Sequence, residues 1–408
     1  MNCGLLGRKL GHSYSPQIHA LLMDYRYSLL EKEPEEIEAF LKSGDFTGLN
    51  VTIPYKKTVI PYLDELSPEA RRLGAVNTIV RRPDGSLIGH NTDYFGFRCM
   101  VQGSGLQVAG KKVLVLGSGG ASNTAAAVLR ELGANVVIIS RTGKDNYENL
   151  SRHADATVIV NATPVGMYPN TGRSALSLDG FPALEGVLDV VYNPARTKIL
   201  LDAEQRGLVA MNGLWMLVAQ AKQSAEWFTG TKIDDAVIAR IHRTLRLQME
   251  NVLLIGMPGC GKTTVGKQLA QKLNKKFVDA DEELEKRAGR PITEIIPRDG
   301  EAAFRLLETE TLDALGKQSG LVIATGGGCV TQARNYELLH QNGTIFWLTR
   351  ALDKLPTDGR PLSQPGKLEQ MYEIRRPMYR RFADAVISND GTLEDTLAEI
   401  QHKLEEKA

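Results

Sequence analysis

The chain has 408 residues, more than a single hydrophobic core usually supports, so we expect two or three domains. Hydrophobic residues make up 42% of it and charged residues 24%, which is typical of a soluble globular protein. The formal net charge of +1 gives no reason to expect nucleic-acid or membrane binding, although a local cluster of Arg and Lys would still serve a small anionic ligand.

The cysteines and the apolar runs bear on the cellular compartment. The four cysteines lie far apart and form no C-x-x-C pair, so we expect reduced thiols at Cys3, Cys99, Cys260 and Cys329. Residues 1–12 lack the apolar region of a signal peptide, and no apolar run approaches the ~20 residues that a membrane helix needs. We therefore expect a cytoplasmic protein whose partners are small molecules, and the sequence does not predict its oligomeric state.

The first hundred residues alternate short strands with helices. Gly4–Gly7, Gly48–Ile53 and Thr78–Arg82 are predicted strands, and Glu35–Lys42 is a predicted helix. This alternation predicts an α/β domain that precedes the first glycine-rich turn.

A glycine-rich turn follows the β-branched and Leu-rich run at 112–116 and precedes a helical pattern. The turn reads Gly117-Ser-Gly119-Gly120-Ala121-Ser122. It matches the dinucleotide fingerprint G-x-G-x-x-G in the first two glycines, with Ser122 in the third position. The strands predicted after it are Asn135–Ser140, Thr157–Asn161 and Gly186–Val191. This pattern predicts a Rossmann-type domain with a parallel sheet and a dinucleotide at the turn.

The end of the second strand of this domain carries Ser140, Arg141 and Thr142. An NAD enzyme usually has an acidic residue there for the ribose 2′-hydroxyl, whereas a guanidinium suits the 2′-phosphate of NADP. We therefore predict NADP as the cofactor, bound by the turn and by these three residues. A surface arginine at a strand end is the alternative interpretation.

The two halves of the chain are joined without a flexible linker. Residues 234–248 carry apolar side chains at roughly helical spacing, and a predicted strand at 251–255 follows almost at once. A new domain is therefore expected to begin at about residue 250.

A second glycine-rich turn follows that strand and satisfies G-x-x-x-x-G-K-[ST] in full. It reads Gly256-Met-Pro-Gly259-Cys260-Gly261-Lys262-Thr263. In such a loop the backbone N–H groups surround the phosphates, the lysine reaches the β- and γ-phosphates, and the threonine hydroxyl ligates Mg²⁺. We therefore predict a P-loop domain that binds ATP and Mg²⁺, with nucleotide contacts from Gly259, Cys260, Gly261, Lys262, Thr263 and Thr264.

Short motifs rich in hydroxyls and amides flank the first turn. They are Gly11–Pro16, Asn50–Lys56, Gly74–Thr78 and Asn91–Asp93, followed by Asn161–Met167, Asp189–Pro194 and Gly213–Gln220. Each alone is compatible with turn chemistry or helix capping. Together, in this order and spacing, they resemble the shikimate dehydrogenase family over residues 1–245.

This resemblance implies two domains and a set of site residues. Residues 1–100, with about 213–246, would bind the substrate, and 101–212 would bind NADP. Lys56 and Asp93 match the family's catalytic pair, in which a lysine held by a carboxylate can protonate the developing oxyanion of a ketone. The substrate-binding positions map to Ser13, Ser15, Thr52, Asn77, Tyr192 and Gln220. Ser140 stands where many members have Asn, although a hydroxyl can still bond a phosphate.

The segment 251–408 resembles the shikimate kinase family over its whole length. The matching motifs are Phe277–Asp281, Gly300–Arg305 with Glu308, Gly326–Gly328, Asp358–Leu362 and Arg375–Tyr379. The resemblance implies a kinase domain over 250–408, in which Asp279 and Thr263 help hold hydrated Mg²⁺. It also implies that Asp281 contacts the acceptor and takes a proton from the attacking hydroxyl.

The remaining kinase roles also come from the resemblance. Arg305 and Arg375 would bind the substrate carboxylate, with Glu308 orienting them, and Arg376 is the alternative to Arg375. Gly327 and Gly328 would let the backbone approach the ring. Arg360, on a lid over residues 351–367, would join Lys262 in meeting the transferred phosphoryl group.

The two resemblances together imply a bifunctional enzyme of the shikimate pathway, which leads to aromatic amino acids. It would reduce 3-dehydroshikimate to shikimate with NADPH and then phosphorylate shikimate to shikimate 3-phosphate with ATP. One rival is a binding or regulatory protein that has lost catalysis, but Lys56, Asp93, Lys262, Thr263 and Asp281 are all present. Another keeps the chemistry with quinate and NAD, or with a different sugar acid as the kinase acceptor.

Overall fold

A computed structural model describes residues 1–11, 13–355 and 367–407 of the chain. Its contacts divide the chain into two compact units. The first consists of Met1–Gly166, Arg173–Tyr192 and Ile199–Arg243, and the second of Met167–Gly172, Asn193–Lys198 and the residues from Thr244 onward. Both units are α/β structures that contain parallel strands.

The first unit opens with a six-stranded mixed sheet. Its strands are β1 (Asn2–Gly7), β2 (Arg26–Glu31), β3 (Gly48–Val51), β4 (Glu65–Leu66), β5 (Thr78–Arg81) and β6 (Leu87–His90). They lie in the order β2-β1-β3-β5-β6-β4, and β5 runs antiparallel to both β3 and β6. The accompanying helices are α1 (Ser15–Leu22), α2 (Ile37–Ser43), α3 (Pro68–Leu73) and α4 (Asp93–Gly103).

A second sheet of the same unit is five-stranded and entirely parallel. Its strands are β7 (Lys112–Leu116), β8 (Asn135–Ile139), β9 (Val158–Asn161), β10 (Gly186–Asp189) and β11 (Val209–Met211), in the order β11-β10-β9-β7-β8. The helices that follow its strands are α5 (Gly120–Glu131), α6 (Lys198–Gln205), α7 (Leu214–Thr229) and α8 (Ala236–Met249). Helix α7 packs against α4 and α1, so the chain returns to the first sheet after completing the second.

The second unit is built on another five-stranded parallel sheet. Its strands are β12 (Asn251–Ile255), β13 (Lys276–Asp279), β14 (Leu321–Ala324), β15 (Gly343–Thr349) and β16 (Ala385–Ser388), in the order β13-β14-β12-β15-β16. Its helices are α9 (Lys262–Lys272), α10 (Ala280–Ala288), α11 (Ile292–Gly316), α12 (Asn335–His340), α13 (Lys367–Phe382) and α14 (Leu393–Lys407).

Apolar runs explain why the central strands lie where they do. All five residues of β12 are buried, as expected for a strand of a parallel sheet that is covered on both faces. Four of the five residues of β7 are likewise buried. Because parallel strands end at the same edge of a sheet, the turns after β7 and after β12 come out beside the ends of their neighbours, where α/β proteins bind ligands.

The described helices were also compared with the length and hydropathy that a membrane span requires. Within residues 1–11, 13–355 and 367–407, none is both long enough and apolar enough to cross a bilayer.

Two candidate active sites

A cavity of about 430 Å³ in the first unit contains the predicted dehydrogenase residues. Lys56 lies in the turn after β3, and Asp93 is the first residue of α4. The Lys56 Nζ donates to Asp93 Oδ2 at 2.6 Å, with 33% of the lysine side chain and 19% of the aspartate side chain exposed. The two side chains are therefore bound to each other, and both remain accessible from the cavity.

The predicted substrate-binding residues line the same cavity. They are Ser13, Ser15, Thr52, Asn77, Tyr192 and Gln220. They come from segments that are up to about two hundred positions apart. The return of α7 to the first sheet brings Gln220 to the others, and Tyr192 follows β10 of the second sheet. Hydroxyl and amide groups of this kind are suited to reading a polyhydroxylated ligand.

Further polar residues of the cavity were not singled out from the sequence. Asn50, Asn91 and Thr124 also line it. The first two belong to motifs recognised above, so their position beside Thr52 and Asp93 could have suggested them. Thr124 lies on α5, one turn beyond the glycine-rich turn, and no sequence signal distinguished it from an ordinary helix residue.

The first glycine-rich turn fits a dinucleotide. Gly117 has a φ of 111°, which favours glycine, and its N–H donates to the Ile139 carbonyl at the end of β8. A Cβ added at Gly119 or Gly120 would meet nothing within 4 Å, so the start of α5 is open to a ligand. The free N–H groups of a helix N-terminus suit a pyrophosphate, and Gly120 and Ala121 also line the cavity of Lys56.

Ser122 shows why the third glycine of the fingerprint is dispensable here. Its side chain is fully buried, and its Oγ donates to the Gly117 carbonyl at 2.6 Å. The hydroxyl thus ties the helix back to the turn, in the position where a glycine would allow close packing. Ser140, Arg141 and Thr142 follow β8 directly, and Arg141 is exposed.

The second glycine-rich turn is a P-loop in the second unit. Gly256, Gly259 and Gly261 have φ values of 145°, 82° and 99°, which L side chains rarely adopt. Lys262 is buried, and its Nζ donates to the carbonyls of Gly256 and Met257 at 2.9 and 3.0 Å. The lysine is thus held inside the loop that would surround the phosphates.

The residues predicted for Mg²⁺ lie next to each other. The Thr263 hydroxyl donates to Asp279 Oδ2 at 2.9 Å. Asp279 is also the N-cap of α10, where its Oδ1 accepts from the Asp281 N–H at 3.1 Å. One hydroxyl and one carboxylate fit Mg²⁺, which usually keeps several waters and binds substrate phosphates as well.

The acceptor side of the kinase site is a cluster of buried charges. Arg305 Nη1 donates to Glu308 Oε2 at 2.8 Å, and the exposed fractions of the two side chains are 14% and 4%. Burial raises the pKa of Asp281, and the charge of Asp279 raises it further. Burial also raises the pKa of Glu308, against the opposing effect of Arg305. A carboxyl with a raised pKa is the stronger proton acceptor, which suits Asp281 for that role.

The loop Gly326–Gly328 closes this cluster. A Cβ at Gly326 would lie 2.7 Å from Asp281 Oδ1 and 2.9 Å from Glu308 Oε1, and one at Gly327 would lie 2.8 Å from Pro258 of the P-loop. A Cβ at Gly328 would overlap the Nη atoms of Arg305. The backbone of this loop thus lies between the ATP loop and the predicted acceptor residues.

The structure distinguishes the two adjacent arginines of α13. Arg375 Nη1 donates to the Gly327 carbonyl at 3.2 Å. Arg376 Nη1 instead lies 3.7 Å from Glu373 Oε1, and 58% of the Arg376 side chain is exposed. Arg375 therefore faces the predicted acceptor site. Arg360 and the other predicted lid residues at 356–366 lie outside the described residues.

The folds and sites together define a nicotinamide-dependent dehydrogenase joined to a P-loop kinase. Comparison with protein families names both parts. The shikimate dehydrogenase substrate binding domain model matches residues 5–79, and the shikimate kinase model matches residues 258–405.

Individual relatives agree with the first of these matches. A shikimate dehydrogenase (NADP(+)) from Clostridium perfringens is 36% identical over 265 residues, which cover 60% of this chain and 97% of the relative. The crystal structure of shikimate dehydrogenase 1 from Peptoclostridium difficile is 39% identical, with a TM-score of 0.55 over 60% of this chain and 98% of that one. The shikimate 5-dehydrogenase of Thermus thermophilus, solved with NADP(H) and shikimate, is 32% identical, with a TM-score of 0.55 over 60% of this chain and 99% of that one.

The chain belongs to the shikimate dehydrogenase family over its N-terminal 60%, and its C-terminal part is a shikimate kinase domain. Both are enzymes of the shikimate pathway, and the cofactors are NADP for the dehydrogenase and ATP with Mg²⁺ for the kinase.

Proposed function

We propose that the cavity of the first unit reduces 3-dehydroshikimate to shikimate and that the P-loop site of the second unit phosphorylates this shikimate. The observation that carries the first step is the 2.6 Å Lys56–Asp93 pair, which opens into a cavity lined by neutral donors and acceptors. We assign substrate binding to residues 1–100 with about 213–246, the NADP domain to 101–212, and the kinase to 250–408.

Lys56 is the proton donor of the reduction. When bound, NADPH supplies the hydride to the ketone carbon. Lys56 donates its proton to the ketone oxygen as negative charge develops there, and Asp93 holds the ammonium in position. In the reverse direction the same lysine, deprotonated, takes the hydroxyl proton of shikimate. The ring substituents are bound by the polar residues that line the cavity, which are Ser13, Ser15, Thr52, Asn77, Tyr192 and Gln220.

NADP is held at the edge of the second sheet. Gly117, Gly119, Gly120 and Ala121 leave room for the pyrophosphate at the start of α5. The 2′-phosphate is bound by Ser140, Arg141 and Thr142, because its oxygens can accept hydrogen bonds from a guanidinium and two hydroxyls.

The kinase aligns an anionic acceptor with ATP. Arg305 and Arg375 bind the shikimate carboxylate, and Glu308 orients Arg305 through the 2.8 Å ion pair. Asp281 takes the proton of the attacking hydroxyl, and Lys262 neutralises the transferred phosphoryl group. Thr263 and Asp279 hold Mg²⁺, and Arg360 is assigned to the transition state on the family resemblance alone. Gly259, Cys260, Gly261 and Thr264 complete the nucleotide loop.

A two-part assay tests the proposal on the full chain. Purified protein is given 3-dehydroshikimate and NADPH, and NADPH oxidation is followed. ATP and Mg²⁺ are then added, and shikimate 3-phosphate is measured. Quinate with NAD is run in parallel as the competing substrate pair.

Variants of the two lysines make the assay specific to each half. Lys56→Met should abolish the first reaction and leave the phosphorylation of added shikimate unchanged, and Lys262→Met should do the reverse. Faster turnover of quinate with NAD than of shikimate with NADP would contradict the substrate assignment. Failure of the wild type to phosphorylate shikimate would contradict the kinase assignment.

A further inference from the structure

Behind the dehydrogenase cavity lies a triangle of buried hydroxyls that the proposed roles do not use. Thr78 on β5, Thr92 just before α4 and Ser224 on α7 are fully buried. The oxygen of Ser224 lies 2.9 Å from that of Thr78 and 3.0 Å from that of Thr92, and the two threonine oxygens lie 3.1 Å apart. Three elements that are distant in sequence thus meet at one polar cluster, which we call the hydroxyl triangle.

Ser224 fixes the direction of the hydrogen bonds in the hydroxyl triangle. Its Oγ lies 2.9 Å from the Gln220 carbonyl, to which it can only donate, and a hydroxyl has a single proton. Toward its other neighbours it can therefore only accept. Asn50 Nδ2 donates to it at 2.7 Å, which leaves one lone pair for a threonine hydroxyl. The remaining threonine proton can then go to the other threonine oxygen, 3.1 Å away, or to the nearest acceptor outside the hydroxyl triangle.

That acceptor is the side chain of Asn77. Its Oδ1 accepts from the Thr92 N–H at 2.7 Å and lies 3.2 Å from each of the two threonine hydroxyls. A flipped amide would place an NH₂ group against the Thr92 N–H, so the oxygen must face the hydroxyl triangle. Asn77 Nδ2 is then turned toward Gln220 Oε1, at 3.5 Å.

The amide of Gln220 is held from both ends in the same way. Its Nε2 donates to the Leu217 carbonyl at 2.9 Å, and its Oε1 lies within 3.4 Å of the Thr92 hydroxyl. Asn77 and Gln220 line the cavity, whereas the hydroxyl triangle lies behind them. The donor and acceptor pattern that these two amides offer is thus set by backbone groups of Thr92 and Leu217, and the hydroxyl triangle supports both amides from behind.

We propose that Ser224 is a positioning residue of the dehydrogenase, which orders the hydroxyls of Thr78 and Thr92 behind Asn77 and Gln220 and so sets the affinity for the hydroxylated ring. This inference rests on the proposed dehydrogenase function. Without the Ser224 hydroxyl, Asn50 Nδ2 loses its shortest bond, and the threonine hydroxyl that donates to Ser224 loses its acceptor. The Thr92 hydroxyl, which lies 3.2 Å from Asn77 Oδ1 and 3.4 Å from Gln220 Oε1, is then no longer held in one direction. The two amides keep their backbone partners but lose an ordered contact from behind, so they hold the ring hydroxyls less firmly.

The test is steady-state kinetics of shikimate oxidation by NADP with the full chain. Ser224→Ala should raise KM for shikimate about 3- to 10-fold, which is the scale of one ordered hydrogen bond. The kcat and the KM for NADP should stay near the wild-type values, because the Lys56–Asp93 pair and the first glycine-rich turn remain in place. Thr78→Val, which removes another corner of the hydroxyl triangle with little change of shape, should give the same pattern.

Two further variants separate positioning from general stability. Thr229→Val removes a hydroxyl of the same helix that donates to the Ala225 carbonyl at 2.8 Å, and it should leave KM unchanged. Ser224→Cys keeps a weak donor and acceptor, and it should recover part of the affinity. Thermal unfolding and NADP titration of each variant check that the dehydrogenase unit is folded.

Three outcomes would overturn the inference. An unchanged KM for shikimate in Ser224→Ala and Thr78→Val would show that the amides are ordered without the hydroxyl triangle. A fall in kcat with an equal rise in both KM values, or loss of folding in both variants, would show a merely structural role. A wild-type chain that does not oxidise shikimate at all would instead refute the proposed function.

Discussion

At the scale of single residues, both candidate sites rely on ion pairs that remain partly open to a ligand. Lys56 and Asp93 are 2.6 Å apart while a third of the lysine side chain is exposed. Arg305 and Glu308 are 2.8 Å apart and more deeply buried. In both pairs the carboxylate fixes a cation whose remaining N–H groups are available to a substrate, so removing the cation should affect one reaction and spare the other.

The first prediction concerns Lys56. Lys56→Ala should lower the kcat of the dehydrogenase by ~10²-fold or more, which is the scale of general acid–base catalysis. NADP binding should be nearly unchanged, because the glycine-rich turn is not altered. The measurement is steady-state kinetics combined with NADP titration, and Lys57→Ala is the matched control. A Lys56→Ala enzyme that keeps most of its turnover would disprove the assigned role.

The second prediction concerns cofactor choice. Arg141 should favour NADP over NAD through a charge-assisted bond worth ~1.5–3 kcal/mol, or about 10- to 150-fold in kcat/KM. Arg141→Ala should remove most of this preference, whereas Arg130→Ala, an exposed arginine in the last turn of α5, should not. The measurement is kcat/KM with NADP and with NAD, for the wild type and for both variants. An equal preference in the wild type would contradict the prediction.

The third prediction concerns the kinase acceptor. Arg305→Ala should raise the kinase KM for shikimate by about 10- to 150-fold, because a carboxylate loses a charged partner. The KM for ATP should barely move. Arg298→Ala, on the part of α11 that precedes the break at Gly300 and with 78% of its side chain exposed, is the control. Kinase rates are preferable to binding measurements because the intact chain has two proposed shikimate sites. A selective loss of ATP affinity would place Arg305 in the nucleotide site instead.

At the scale of elements, the sequence was most informative where both faces of a strand are buried. The runs that became β7 and β12 were predicted to within a residue, because a continuous apolar stretch before a glycine-rich turn has few alternatives. Strand β2 was not predicted, since its six residues are only partly buried or exposed and show no apolar run. The antiparallel direction of β5 depends on its neighbours in space, which local sequence does not reveal.

The candidate sites show the same division between local and long-range information. Motif residues such as Lys56 and Lys262 could be predicted because the motif itself carries their proposed chemistry, and the structure places each beside the groups that the motif leads one to expect. The choice of Arg375 over Arg376 required the side-chain direction on α13. The hydroxyl triangle was not predicted, because Thr78 and Ser224 are 146 positions apart and Ser224, on α7, belongs to no polar motif.

The fourth prediction concerns two buried histidines that the first sheet and its helices enclose. His90, at the end of β6, stacks on Trp227 with the ring centroids 3.8 Å apart. His19, on α1, stacks on Tyr27 with the ring centroids 4.0 Å apart. Burial lowers the pKa of His90 to about 4 and that of His19 to about 3. In the unfolded chain both histidines have a pKa near 6.5 and bind protons below that pH, whereas in the folded chain they stay neutral. The stability that their neutral forms contribute is therefore fully present above pH 6.5 and is lost as the pH falls toward 4.

A substitution at His90 tests this pH dependence. His90→Phe keeps a ring against Trp227 and removes the titrating group, so its stability should fall by about 2–3 kcal/mol less than that of the wild type between pH 6.5 and 4. Thermal unfolding across this range is the measurement. His402→Gln, at an exposed position of α14, should melt like the wild type. Parallel curves for His90→Phe and the wild type would show that His90 does not titrate in this range.

At the scale of the whole molecule, the two units divide within a helix. The last residue of the first unit is Arg243, the longest segment of the second unit starts at Thr244, and both residues belong to α8. The end of α8 is part of the kinase structure. Leu247 packs on the kinase core, the Gln248 carbonyl accepts from Lys275 at 2.8 Å, and the Met249 carbonyl accepts from the Gly320 N–H at 2.7 Å.

The fifth prediction follows from this placement of residues 244–248. A fragment 244–408 should fold and phosphorylate shikimate, and its midpoint of thermal unfolding should exceed that of a fragment 249–408. The reason is that the shorter fragment lacks the packing of Leu247 and one of the Lys275 hydrogen bonds. Both fragments lack the same residues of the dehydrogenase, so the comparison is matched. Equal midpoints would show that the last turns of α8 contribute nothing to the kinase.

The three glycines at 326–328 have a consequence for mutational tolerance. In a saturation library of the kinase, each of the three positions should reject even alanine, and each for a different reason. The added methyl group would meet the acceptor carboxylates at Gly326, the P-loop at Gly327 and the Arg305 guanidinium at Gly328. At Gly326 and Gly328 the clashing atoms are side-chain ends, which can move only by leaving the positions that the proposed acceptor site uses, whereas at Gly327 the Pro258 ring is rigid. A selection for kinase activity should therefore recover wild-type glycine at three adjacent positions, while exposed residues of the flanking helices vary freely.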